Sequence, residues 1–440
     1  MKLTPQDNMK TMKYNRIPFI LVFICSLLAR TEVSAVPSSW EPMRESIGCD
    51  DENFSSPRES RLQVLGGEAP LLQTIEQNNT TLIALRAEAE ARKLENRTDI
   101  TLANPEVALK RMWEGAEQSG SLTEFTVGQS FNLSTVMGYK SRAAESQNLL
   151  IDEEYRLMRM DILLEAQLAC IDLAYYNALV SELDRRLVHA CRVVEAEQRR
   201  LDSGDTDALS YNNVVLSLSA LEAERERACT EQAVLTAHLT RLNGGKPLAG
   251  IEGLACLASQ DNLENLDSLV TQAVEHSPAM SFVRAGHEAA KSELSLAKSQ
   301  HLPTLSATYI NERHTIGDRS QGVAVGVSLP LWANKNRVRS ARAALQAAEA
   351  READTQVQLR SQLRADYERV QGLQRTATLY RTALVEADNS ELLSRAMDEG
   401  YISVLEYLQG IELYYDYLDR SLSAERDYRR ALATLEAWKL

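Results

Sequence analysis

Residues that build compact mixed folds are scarce in this sequence: 440 positions hold only 19 glycines, 11 prolines, 6 phenylalanines and 4 tryptophans. With Ala, Leu, Glu and Arg abundant instead, the balance favours long helices over a set of ordinary globular domains. No segment reaches the roughly 20 apolar residues that a bilayer-spanning helix needs, so any membrane contact of the mature chain must come from strands or a lipid. A basic surface is also missing. The net charge is −14, with Lys and Arg interspersed among acids, which excludes nucleic acid as a partner. There is no nucleophile elbow, no Gly-rich phosphate loop and no Cys or His cluster at metal spacing, so neither an enzyme, a cofactor nor a metal site is expected. His276 and His287 could share a helix face, but Pro278 breaks the frame between them. The cysteines Cys170, Cys191 and Cys229 fall at helix-type positions without pairing spacing and read as small buried apolar residues.

What is present begins with a targeting segment. Lys10, Lys13 and Arg16 precede the apolar run Ile17 to Ala29, which ends near Val33-Ser34-Ala35. That is the layout of a cleaved secretory signal over residues 1–35, and it implies a compartment in which disulfides are permitted. Cys25 lies inside the run and Cys49 far beyond it, so neither looks like a lipoprotein acylation site. An extended N-terminal segment, 36–69, follows.

The rest of the chain repeats itself. Slid by 198 residues, Arg86-Ala87 meets Arg284-Ala285, Glu90-Ala91 meets Glu288-Ala289, Pro105 meets Pro303, and Val127-Gly128-Gln129-Ser130 meets Val325-Gly326-Val327-Ser328. Further on the register slips by two, and Leu201-Asp202-Ser203-Gly204 matches Met397-Asp398-Glu399-Gly400. Two copies of one supersecondary unit are expected, 70–247 and 267–440, joined by a linker at 248–266.

Each copy holds a very long helix. The first, 139–203, has no Gly or Pro and is bounded by Gly138 and Gly204. Its length would be on the order of 100 Å, too long for an ordinary core. Leu150, Leu157, Leu164 and Ile171 recur every seventh residue, a coiled-coil period. The second long helix is expected over 334–398. Shorter helices complete each unit: 79–97 and 207–243 in the first, 278–300 and 403–440 in the second. Ser277 before Pro278 marks one of these starts. The turns 204–206 and 400–402 make a helical hairpin at one end of the rod.

Between short and long helix the period changes to two. Val323, Val325, Val327 and Leu329 alternate with Gly322, Ala324, Gly326 and Ser328; Phe125 and Val127 alternate with Glu124, Thr126 and Gly128 in the other copy. β-Hairpins are therefore expected at 103–134 and 303–332, with strands long enough to cross a bilayer at a tilt and one apolar face toward lipid. Four strands cannot close a barrel alone, and open edges in lipid leave backbone groups unpaired, so several protomers are required. Trp113, Tyr309 and Trp332, near the expected strand ends, fit an interfacial aromatic belt.

In this order and periodicity, Ala103-Asn104-Pro105-Glu106-Val107, Val127-Gly128-Gln129-Ser130-Phe131, Val325 to Leu331 and the segments from Leu201 and Met397 resemble the outer membrane efflux protein family, the TolC-type channels. The resemblance runs from about Leu71 to the C-terminus. It implies a mainly α fold with a small β part: a homotrimer with a twelve-stranded barrel in the outer membrane, continuous with a twelve-helix tunnel of long antiparallel coiled-coil helices through the periplasm. Implied partners are outer-membrane lipid, a periplasmic adaptor (membrane fusion) protein and an inner-membrane transporter of resistance-nodulation-division type. The adaptor would meet the tips Gly204, Asp205, Thr206, Gly400, Tyr401 and Ile402; a periplasmic gate would draw on Asp398, Glu399 and Glu406. The Asn104-Pro105-Glu106 opening is similar to the branch that exports heavy-metal cations. A type I secretion duct is an alternative, and a coiled-coil scaffold would account for the heptads though not for the paired alternating strands.

Overall fold

A computed structural model describes residues 68–98, 100–113, 121–251, 254, 263–314, 319–332 and 336–440. The expected signal peptide, nearly all of the segment before residue 70 and both hairpin turns lie outside the described residues. The first half runs α1 (Glu68–Asn78), α2 (Thr80–Thr98), β1 (Glu106–Trp113), β2 (Ser121–Asn132), the short α3 (Leu133–Val136), α4 (Tyr139–Ser203) and α5 (Ala208–Leu242). The second runs α6 (Leu266–His276), α7 (Pro278–Ser299), β3 (Thr304–His314), β4 (Arg319–Ser328), α8 (Arg337–Glu386), α9 (Ser390–Asp398), α10 (Val404–Glu436) and a 3-10 turn, Ala437–Lys439. Glu68 and Leu266, Thr80 and Pro278, Ser121 and Arg319, Tyr139 and Arg337 each open equivalent elements 198 residues apart. Among the described residues no helix is long and apolar enough to cross a membrane.

The central element is α4, 65 residues without a break, about 100 Å at 1.5 Å per residue. Gly138 (φ 74°) and Gly204 (φ 79°) close its two ends in the left-handed conformation, which other L-residues adopt only at a cost. It packs on α1, α2 and α5 of its own half and on α7 and α10 of the other. Full burial falls on Ile151, Leu163, Ala166, Ala169, Cys170, Ile171, Leu173, Leu179, Leu183 and Leu187. The heptad leucines Leu150, Leu157 and Leu164 are only half-buried, because a helix contacted from several sides buries more than one stripe. Cys170 is buried, whereas Cys191 and Cys229 are half-buried; none of the three is in a disulfide.

Each half builds its own core. Ile75 of α1 meets Ala169, Leu173, Leu239 and Leu242, and Leu269 of α6 meets Leu363, Val370, Tyr428 and Leu435. Arginines tie the halves together: Arg159 forks onto both carboxylate oxygens of Glu76 within the first half, at 2.6 and 2.8 Å, and also reaches the Leu440 carbonyl of the second. That hydrogen bond holds the Glu76 carboxyl below its usual range, against the opposing effect of burial. Arg186, 2 % exposed, grips Asp419 of α10 at 2.6 and 2.9 Å and lies over the Tyr415 ring. Burial pushes the Tyr415 hydroxyl up to about 12.

Three expectations are corrected. The first helix of each copy, expected to open at 79 and at 278, is preceded by a further helix, α1 and α6; Asn265 caps α6 by accepting from the Asp267 N–H, and Leu269, Ala273 and Val274 form its buried face. The second long helix does not run unbroken to 398: α8 ends at Glu386, and Ala387, Asp388 and Asn389 are non-helical before α9. There the Asp388 carboxylate accepts from both Ser390 N–H and Oγ, a local bond that competes with the helix ladder. Third, β3 extends to His314, so Tyr309 sits mid-strand between Val127 and Val323, not near a strand end.

The α1–α2 junction rests on Asn79, 3 % exposed. Its Nδ2 donates to the Leu242 carbonyl at 2.8 Å and its Oδ1 accepts from Leu82 N–H at 2.9 Å. Asn79→Ala strands both backbone groups and is expected to destabilise the chain by about 1–3 kcal/mol; denaturant unfolding should show a lower midpoint at unchanged slope.

Candidate functional site

The four strands form one antiparallel sheet in the order β1-β2-β3-β4. Cross-strand pairing places Val107, Val127, Tyr309 and Val323 in one row and Phe131, Leu305 and Val327 in another, with Leu109 and Phe125 adjacent between β1 and β2. Because successive side chains alternate faces, these rows share a face with Val325 and, just past β4, Leu329. The opposite face carries Thr126, Gly128, Ser130, Ser306, Thr308, Gly322, Ala324, Gly326 and Ser328. The fit is close at one point: a Cβ at Gly326 would lie 2.5 Å from Ser306 Oγ, so the serine hydroxyl would have to turn away. One face is thus broad and apolar, the other small and polar. Trp113 at the distal end of β1 and Trp332 beyond the helix-side end of β4 are both more than 70 % exposed, so they bracket the sheet.

At the other extreme, both helical turns adopt the same Schellman geometry. Gly204 N–H donates to the Leu201 carbonyl and Asp205 N–H to Arg200; Gly400 N–H donates to Met397 and Tyr401 N–H to Ala396. Each needs its glycine at positive φ, 79° and 75°. Asp207 caps α5 and Ser403 caps α10. Gly204, Asp205, Gly400 and Tyr401 are exposed, Thr206 and Ile402 half-buried. Exposed beside them are Leu209 and Leu405, the first-turn leucines of α5 and α10.

The expected gate residues divide. Asp398 and Glu399 are exposed at the end of α9. Glu406 has a different role: it completes a capping box, its carboxylate accepting from Ser403 N–H at 2.8 Å and Ser403 Oγ at 2.9 Å. Those bonds hold its carboxyl below the usual range, and a carboxylate turned back onto its own helix start is not free to line a passage.

A pair that the sequence did not reveal links the two tip hairpins. His189 of α4 lies with Nδ1 3.0 Å from the Tyr407 hydroxyl, their rings stacked 5.8 Å apart. Tyr407 is buried in the tip core with Val193, Val214, Val404 and Ile411. Burial pushes the Tyr407 hydroxyl up and the His189 imidazole down; Arg192 lowers the imidazole further and Asp398 opposes it. The only hint in sequence was a lone His among heptad residues, which burial and partner alone make informative.

A long-helix stem turning back at glycine tips, and a single sheet with one lipid-compatible face, is the fold of channel proteins of the outer membrane. VceC of Vibrio cholerae superimposes with a TM-score of 0.66 at 16% identity, covering 84% of this chain and 95% of that one. The CmeC channel of Campylobacter jejuni gives 0.63 at 13% identity and 84% of each chain. The MtrE channel of Neisseria gonorrhoeae, solved in an open state, gives 0.60 at 14% identity, covering 84% and 88%. Residues 269–438, which run from within α6 to the 3-10 turn, match the model of the outer membrane efflux proteins. No curated protein matches the sequence. Among the described residues no group of three His, Cys, Asp or Glu is placed to hold a metal ion.

Since the folded pKa of His189 is depressed below 6.5, its neutral form stabilises the tip fully above that pH, and the contribution is lost as pH falls through the folded value. Thermal melting between pH 8 and 5 should therefore show a decline that is shallower in His189→Gln than in the parent chain. Gly204→Ala and Gly400→Ala should each cost about 1 kcal/mol, read as a lower denaturation midpoint.

Proposed function

We propose that the chain is one protomer of a homotrimeric outer-membrane duct giving passive exit across periplasm and outer membrane. Its substrates, drugs or metal cations, would be energised by an inner-membrane transporter of resistance-nodulation-division type and delivered through a periplasmic adaptor. One observation carries this reading: a four-stranded sheet with an apolar face and two open edges, β1 and β4. In lipid each unpaired backbone group costs several kcal/mol, so such a sheet is stable there only when closed by neighbours. With four antiparallel strands per chain, β4 of one copy meets β1 of the next antiparallel, and three copies make a barrel of twelve. The small-residue face would then line the lumen, together with Glu106, Glu124 and Glu312. An acidic lining with Asp398 and Glu399 at the far end favours cations.

The tips support the adaptor part. Leu209, Tyr401 and Leu405 are each more than half exposed, at hairpin ends whose backbone is already satisfied by Schellman bonds. Apolar side chains on rigid, internally completed turns are suited to receive another helical hairpin.

The duct reading expects a particle that needs detergent for solubility and has three times the chain mass by light scattering; a soluble elongated dimer would overturn it. Leu209→Asp with Leu405→Asp should keep the trimer while weakening adaptor capture at least about tenfold, the scale of losing buried apolar anchors. Deletion of the gene should lower tolerance to drugs or metal cations, and unchanged tolerance would contradict the export role.

A further inference from the structure

The apolar face of the sheet carries one further row. Arg111 lies opposite Thr123, Thr123 opposite Arg313, and Arg313 opposite Arg319. From β1 to β4 this row reads Arg-Thr-Arg-Arg. It stands two residues beyond the row of Leu109, Phe125, Asn311 and Gln321, about 7 Å along the strands toward the hairpin turns. All three arginines are exposed, and Arg111 lies 5.8 Å from the centre of the Trp113 ring on the same face.

Acids are segregated from this row. Within the described strands Glu106, Glu124 and Glu312 all fall on the opposite face, where Lys110 Nζ approaches Glu124 Oε2 at 4.0 Å. The apolar face holds no aspartate or glutamate in any of its strands. A merely solvated rim would mix signs, as the other face does. A charged side chain on the lipid side of a barrel is costly at mid-membrane and nearly free at the interface, so three arginines at one level mark the edge of the hydrocarbon. Guanidinium groups match phosphate oxygens in a bidentate fork.

We propose that Arg111, Arg313 and Arg319 form a binding surface for the anionic, phosphate-bearing headgroups of membrane lipid, whose acyl chains lie along Val107, Leu109, Phe125 and Val323. This rests on the duct reading, which puts the apolar face in lipid. Three copies would carry nine arginines as a girdle at the distal rim.

The test is native mass spectrometry of the detergent-solubilised trimer titrated with phosphatidylglycerol, with phosphatidylcholine as the zwitterionic comparison. The parent chain should retain phosphatidylglycerol preferentially, and less so at high salt, since exposed charges are screened. Replacing all three arginines by glutamine should weaken retention about a hundredfold, about fivefold for each charge removed near a lipid surface. Replacement by lysine should preserve most of it, which separates lost charge from lost folding, and Lys110→Gln on the opposite face should change nothing. Equal retention of the two lipids, or a triple glutamine variant that binds phosphatidylglycerol like the parent, would overturn the proposal while leaving the duct intact. A chain that stays soluble without detergent and takes up no lipid would overturn both.

Discussion

At the two edges of the sheet, β1 and β4 present backbone N–H and C=O groups that no other described strand covers. In water such edges are a hazard; in hydrocarbon they are untenable. The remaining features acquire their sense from that constraint. On the duct reading the apolar face lies in lipid, lipid requires closed edges, and copies of the chain would close them. The even strand number lets identical protomers join in the same antiparallel sense that each uses internally.

The duplicated construction serves the same end. Each half supplies one hairpin and one long rod, and the breaks between short helices fall at equivalent places, Asn79 and Ser277, both buried. Differences between the halves concentrate at the stem's far end. Helix α4 is continuous where α8 and α9 are separated by Ala387 to Asn389, and α10 starts with a capping box whereas α5 starts with a simple Asp cap. Where the two hairpins meet, His189 and Tyr407 pack inside an apolar cluster. The quasi-symmetry is thus relaxed at the tips and retained around the sheet.

The long first helix and the alternating strands were legible because their signals are local. Sixty-five residues without a breaker, ended by glycines, leave little choice of conformation, and a period of two over ten residues assigns faces once a strand forms. What misled was also local. Helices α1 and α6 are only 11 residues each, too short for a marked period. The interruption after Glu386 depends on one aspartate bonding to Ser390 in preference to the helix. Glu406 looked like a free acid because its capping partner Ser403 satisfies it only in the folded turn.

The sequence by itself determined the long first helix, the four strands, the duplication and the chemical character of each strand face, because these follow from periodicity, propensity and the placement of glycine and proline. Only the tertiary structure decided that the two hairpins, nearly 200 residues apart in sequence, join into one sheet through β2 and β3. It alone brought Arg111, Arg313 and Arg319 into one row, and His189 against Tyr407. These are relations between distant segments, and cross-strand register and helix packing, which no local pattern encodes, set them.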